Sequence, residues 1–252
     1  MSVYTAPLYY EIAFGFVDIP EQIDLFEKFI EEYSLKPVKT VLDLGCGPSL
    51  QLREMAKRGY TAIGLDKSQE MLTYLQEKAE QEGITIEPIN QDLCNFTLDK
   101  KVDFAMILMG TITYAKNNHL FLQHLNSVAA ALNPGGLYLI ENFKLDWASP
   151  DFYLVQNWPM EKNGIHVRTT FYIQLKDTLT QMLTETLRLD VNDHGKEKTF
   201  ETIEDTKLIF PQELLLLLEL NGKFEFLGWF ERDITHKLDE ACNDNIMVLR
   251  RK

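Results

Sequence analysis

Cysteine is scarce in this chain: Cys46, Cys94 and Cys242 are odd in number and far apart. That excludes a disulfide framework and a Cys-x-x-Cys metal site, and no metal is expected. Long apolar runs are missing too. No stretch approaches the roughly 20 uninterrupted apolar residues of a membrane span, and the start, "MSVYTAPLYYEIAFGF", lacks the basic-then-apolar order of a signal peptide. A cytoplasmic protein with no membrane partner is expected. Positive charge is short, with 25 basic residues against 38 acidic ones and a formal charge of -13. Such a chain repels polyanions, so nucleic acid is not an expected partner, and solubility is a sufficient account of the acidity. Internal repeats and low-complexity linkers are also lacking.

What is present is alternation. Over the first 140 residues strand-like runs alternate with helical patterns, the grammar of β-α-β units on a parallel sheet. The five strands are "TVLDLG" (40–45), "TAIGLD" (61–66), "ITIEPINQD" (84–92), "VDFAMILMG" (102–110) and "GLYLIENF" (136–143). Ser49 and Ser68 are placed as N-caps of the intervening helices, with Gly59 and Gly83 as their stops. "NNHLFLQHLNSVAAALNPGG" reads as a helix followed by a Pro-Gly-Gly break, with His119 and His124 as solvated helix residues. Ahead of the sheet, Ile23, Phe26, Ile30 and Tyr33 form a core-packing stripe, while Tyr9, Tyr10, Phe14 and Phe16 are too dense for a short leader to bury alone.

From about residue 150 the alternation gives way to strands joined by short polar turns. "GIHVRTTFYIQLKD", "LTQMLTETLRLDVND" and "KEKTFETIEDTKLIF" read as three antiparallel strands. A helix from Pro211 to Gly222 follows, and "KFEFLGWFERD" and "DNIMVLRRK" close as a final pair. The expected fold is α/β: a Rossmann-like mixed seven-stranded sheet with flanking helices, plus a small antiparallel β insertion.

The turn in "VLDLGCGPSLQLREMAKRG" decides what kind of ligand the sheet holds. Gly45 and Gly47 allow close backbone approach just before a helix N-terminus. A dinucleotide loop needs a third glycine at position 50, and Leu50 stands there; a P-loop needs Gly-Lys-Ser/Thr, and none follows. Phosphate is therefore not the expected ligand. Asp66 ends the second strand, where a carboxylate can accept hydrogen bonds from two ribose hydroxyls, and Asp92 ends the third on the same carboxyl edge.

These residues together resemble the class I S-adenosylmethionine-dependent methyltransferases. "VLDLGCGPS" is similar to their first motif, "GLDKSQEML" to the ribose-binding second strand, and "NQDL" to the adenine-contacting segment. "VDFAMILMGTITYA" and "LNPGGLYLIENF" are similar to strands four and five, and the likeness covers residues 38 to 143. The resemblance implies S-adenosylmethionine as cofactor, with Gly45, Cys46 and Gly47 at the methionine portion and Asp66 and Lys67 at the ribose. Asp92 and Leu93 would meet the adenine, and Met109 and Tyr10 would flank the cofactor. The leader and the insertion are also similar to the small-molecule branch, which includes sugar-amine and glycine N-methyltransferases. That implies an N-terminal aromatic cap and helix (1–36), a core (37–148 and 207–252) and an antiparallel insertion covering the acceptor (149–206).

The expected function is methyl transfer to the nitrogen or oxygen of a small molecule by in-line displacement, by a monomer or homodimer. The alternatives are a cofactor-binding protein that transfers no methyl or uses a modified sulfonium, and then an NAD-dependent oxidoreductase. Candidate catalytic residues are Tyr114, Glu141 and His166; candidate acceptor-binding residues are Asn142 and Arg168. His166 and Arg168 alternate onto one strand face; a solvated face is the expected reading, the alternative being that they jointly meet an anionic acceptor. For Tyr114 the alternative is a buried ring with a satisfied hydroxyl. An Asp/Asn-Pro-Pro-Tyr segment is lacking, as is a Pro-Cys context for Cys94, which sets the nucleic-acid-methylating subclasses aside.

Overall fold

The computed structural model describes residues 1–252. Its first sheet grows from strands whose apolar residues are nearly continuous, as strands covered on both faces must be. β1 (Thr40–Leu44), β2 (Thr61–Asp66), β3 (Ile86–Asn90), β4 (Val102–Ile107) and β5 (Leu132–Glu141) run parallel; β12 (Ile246–Arg251) pairs antiparallel with β5, and β10 (Phe224–Glu231) pairs antiparallel with β12. The order is β3-β2-β1-β4-β5-β12-β10, with a short eighth strand, β11 (Asp233–Lys237), beyond β10. The chain winds outward from β1 to β3, then returns to place β4 on the other side of β1. That reversal opens a crevice at the carboxyl ends of β1 and β4, where ligands of open α/β sheets gather.

The helices are bounded by the residues expected. Ser49 Oγ accepts from Leu52 N (3.1 Å) at the start of α3 (Leu50–Lys57), and Ser68 Oγ accepts from Met71 N (3.3 Å) ahead of α4 (Gln69–Gln81). α2 (Ile19–Tyr33) buries Ile23, Phe26, Phe29 and Ile30 against one face of the sheet; α5 (Asn118–Ala131) and α6 (Pro211–Asn221) cover the other. No helix is long and apolar enough to cross a membrane.

Three expectations change. The insertion has four strands, not three: β6 (Gln156–Lys162) precedes β7 (Ile165–Asp177), β8 (Met182–Asp193) and β9 (Lys196–Lys207). β6 contains Pro159, which suppresses a strand reading of the sequence but is tolerated because β6 is an edge strand. The Pro-Gly-Gly break is no loop, because α5 passes directly into β5 at Leu132; a Cβ on Gly136 would lie 2.6 Å from the Asp103 carbonyl oxygen. His124 is not solvated but wholly buried. Its Nδ1 donates to the Leu93 carbonyl (2.7 Å) and its Nε2 accepts from the Tyr138 hydroxyl (2.6 Å).

Candidate active site

At the switch point the backbone turns sharply after β1. Gly45 has φ +67°, and a Cβ there would meet Thr111 Cγ2 at 2.6 Å, so only glycine fits. Gly47 has φ +55° and nothing within 4 Å of its missing Cβ, so this backbone is open to a ligand. Beneath them, buried Asp43 accepts from Ser49 Oγ (2.7 Å), and burial pushes its carboxyl up to about 7.

Asp66 lies across this turn at the end of β2. Its two carboxylate oxygens accept from Gly47 N and Ser68 N, each at 2.8 Å, which fixes the group and leaves each oxygen with the capacity to accept again. Burial raises its pKa, against the pull of those backbone donors. Beyond it, Asp92 Oδ1 caps its own turn by accepting from Cys94 N (2.7 Å), and the Leu93 side chain packs against the Gly45 turn. Cys46 is buried, with its Sγ near the Gly47 carbonyl oxygen, and Lys67 lies over the Tyr114 ring at 5.7 Å.

Beside this groove is a cavity of about 1400 Å³. Its floor is the carboxyl edge of β4 and β5, with Met109, Gly110, Thr111, Tyr114, Glu141 and Asn142; its roof is the inner face of the insertion sheet. The N-terminal segment closes one side. α1 (Pro7–Ala13) and the turn before it bring Tyr4, Tyr10, Phe14 and Phe16 against Trp158 of β6 in a chain of rings 4.6 to 6.3 Å apart. The segment is tied down at both ends of this chain: Val3 N donates to Thr202 Oγ1 (3.0 Å), and Trp158 Nε1 donates to the Ala13 carbonyl (2.7 Å). The insertion thus supplies the cover that the dense leader aromatics require.

The candidate residues fare differently in this geometry. Tyr114 faces the cavity, but its hydroxyl is 2.6 Å from that of Tyr4, and burial pushes it up to about 12. It suits a hydrogen-bonding wall better than a base at neutral pH. Glu141 is 1% exposed and fully engaged: Gln22 Nε2 (2.6 Å) and Arg232 (2.9 Å) bind Oε1, and Met109 N donates to Oε2 (3.3 Å). Asn142, at φ +55°, donates to the Asn243 carbonyl (2.9 Å) and so holds the loop before β12.

His166 and Arg168 are corrections. They do share a face of β7, but it is the solvent face; Ile165, Val167 and Thr169 are the buried positions, and His166 pairs with exposed Glu161 (3.4 Å). Two-residue alternation equates these residues with each other but does not say which face is covered.

Other cavity residues escaped the sequence reading. Lys144 is buried and paired with Glu185 of β8, and Gln51 donates to Gln22 (2.9 Å), extending the Glu141 network to α3. The available signal was polar residues at apolar positions of an alternating strand: Glu185 stands in the series Leu183, Glu185, Leu187, Leu189, and Glu204 follows Phe200 and Thr202.

Comparison with known proteins shows which fold this arrangement has. Residues 41–136 match the model of a methyltransferase domain, Methyltransf_25. An S-adenosylmethionine-dependent methyltransferase structure from Clostridium acetobutylicum superposes with a TM-score of 0.79 over 98% of this chain and 97% of that one, at 16% identity. This is the class I S-adenosylmethionine-dependent methyltransferase fold. An S-adenosylmethionine-bound amino pentose methyltransferase from Micromonospora echinaspora gives a TM-score of 0.75 at 18% identity, covering 96% of each chain. Because these superpositions cover nearly the whole chain, the likeness extends beyond the methyltransferase domain; identities this low establish fold alone. In sequence, YqeM of Bacillus subtilis, which bears a methyltransferase name, is 29% identical over 147 residues, covering 54% of this chain and 59% of that protein. An (S)-tetrahydroprotoberberine N-methyltransferase of Eschscholzia californica is 31% identical over 105 residues, 40% of this chain and 29% of its own. The chain thus spans just over half the length of the first of these relatives.

Proposed function

We propose that the protein transfers a methyl group from S-adenosylmethionine to the nitrogen or oxygen of a small-molecule acceptor. The observation that carries this reading is the covered cavity beside the open glycine turn. A single drug-sized ligand needs about 300–1,000 Å³, so about 1400 Å³ accommodates an acceptor together with part of a cofactor. The residues present fit the cofactor: the space a Cβ would fill at Gly47 is open, and Asp66 is fixed with free lone pairs where ribose hydroxyls would lie. Gly45, Cys46 and Gly47 would hold the methionine portion, Asp66 and Lys67 the ribose, and Asp92 with Leu93 the adenine. Tyr10 and Met109 would close over it. Bound there, S-adenosylmethionine supplies an electrophilic methyl on a sulfonium, which makes transfer downhill.

The chain's own work is then orientation and exclusion of water. The ring chain of Tyr4, Tyr10, Phe14 and Trp158 shuts the cavity on one side, and the engaged Glu141 network keeps its floor rigid. Asn142 acts by holding the 243–245 loop at the mouth.

Three measurements test this. Incubation with labelled S-adenosylmethionine and candidate acceptors should yield S-adenosylhomocysteine, and thermal stabilisation by NAD in place of S-adenosylhomocysteine would overturn the reading. By calorimetry, Asp66→Ala should weaken S-adenosylhomocysteine binding by about tenfold or more, since hydrogen bonds to a charged group contribute roughly 1.5–3 kcal/mol. Unchanged affinity would contradict the placement of the ribose.

A further inference from the structure

The roof of the cavity carries like charges where the strand pattern calls for apolar side chains. Glu185 of β8 and Glu204 of β9 are direct register partners, and both line the cavity among residues such as Leu187 and Thr202. Opposed carboxylates repel each other across strands, and a roof that only had to pack would not hold them. Their neutralisation is incomplete. Lys144 pairs with Glu185, which also accepts from Thr206 Oγ1 (2.7 Å). Burial pulls the Lys144 ammonium down to about 7. Glu204 has only Lys116 at 3.4 Å, a side chain 45% exposed and screened by water.

The rest of the wall has the same sign. Nine carboxylates and three cationic side chains line the cavity, and two of those cations, Lys144 and Arg232, are already paired. Tyr4 and Tyr114 stand close enough to Glu204 for its charge to raise their hydroxyl pKa values, after the larger effect of burial. A partly buried carboxylate beside tyrosine side chains is the chemistry that recognises an ammonium ion.

We propose that Glu204, with Glu185 opposite it, determines acceptor specificity by binding a protonated amine on the acceptor. This deepens the methyl-transfer reading and rests on it. An ammonium nitrogen has no lone pair with which to attack, so the group held at Glu204 is a recognition handle. The acceptor therefore also carries a neutral nitrogen or oxygen that takes the methyl. Anionic acceptors are disfavoured by the same wall.

Three probes with a common neutral aniline nitrogen test this on the full chain saturated with S-adenosylhomocysteine: 4-(aminomethyl)aniline, 4-aminobenzyl alcohol and 4-aminobenzoate. By calorimetry the ammonium probe should bind about tenfold tighter than the alcohol, with the benzoate weakest. Glu204→Gln, which relieves a repulsion, should abolish that preference without changing S-adenosylhomocysteine affinity. Glu201→Gln, on the outer face of the same strand, should keep it. Equal affinities for the three probes, no binding of the ammonium probe at millimolar concentration, or a preference that survives Glu204→Gln would overturn the proposal. S-adenosylhomocysteine binding is measured first, so that its failure counts against the methyltransferase reading while the charge preference is scored separately.

Discussion

Gly45 and Gly47 have similar positive φ angles but different surroundings. At Gly45 the missing Cβ would strike Thr111, so Gly45→Ala combines a left-handed backbone cost with overpacking and should destabilise the fold by about 2–4 kcal/mol. At Gly47 only the backbone cost applies, about 1–2 kcal/mol, yet its methyl would enter the open space proposed for the cofactor. Gly47→Ala should therefore stay folded in a thermal melt and lose S-adenosylhomocysteine affinity by calorimetry, whereas Gly45→Ala should show its defect in the melt itself. Both glycines were legible in the sequence as a ligand turn. Their separate roles were not, because Thr111 is 66 residues away and reaches Gly45 only through the β1–β4 pairing.

At the scale of elements, α5 is joined to the loop after β3 by His124 rather than facing water. The physical reason is that Leu93 presents a carbonyl and Tyr138 a hydroxyl to the two ring nitrogens, so a neutral imidazole is satisfied inside the core. Periodicity alone could not reveal this, since the polar partners come from β5 and the loop after β3. Burial lowers the His124 pKa from 6.5 to about 4. The unfolded chain thus binds the extra proton between those values, and stability falls as pH drops from about 6.5 to 4, by about 3 kcal/mol at the end. Asp43, raised by burial to about 7, acts in the opposite sense, so its stabilising proton is lost as pH rises through that value. The difference between the melts of the native chain and His124→Gln isolates the histidine: the gap between them should be constant above pH 7 and shrink as pH falls below about 6.5.

For the whole molecule, the cavity is built by three distant parts of the chain: the leader, the sheet edge and the insertion. The leader depends on its partners, through Val3 on Thr202, Ser68 Oγ donating to the Tyr4 carbonyl (3.2 Å), and buried Glu11 bound to Arg53 (2.7 Å). A segment so placed is expected to open for ligands to enter. Amide exchange in residues 3–16 should slow on addition of S-adenosylhomocysteine, while exchange in the β8–β9 hairpin turn at His194 and Gly195, which lies outside the cavity lining, should not change. Equal protection at both places would argue against closure at the leader.

The sequence by itself determined the parallel core, its caps and the ligand type of the glycine turn, because apolar periodicity, N-caps and backbone freedom act over a few neighbouring residues. Only the tertiary structure decided which face of the insertion is covered, that His124 and Lys144 are buried, and that two glutamates oppose each other in the roof. Those facts depend on what lies across a strand or under a sheet, and side-chain alternation carries no record of its partner.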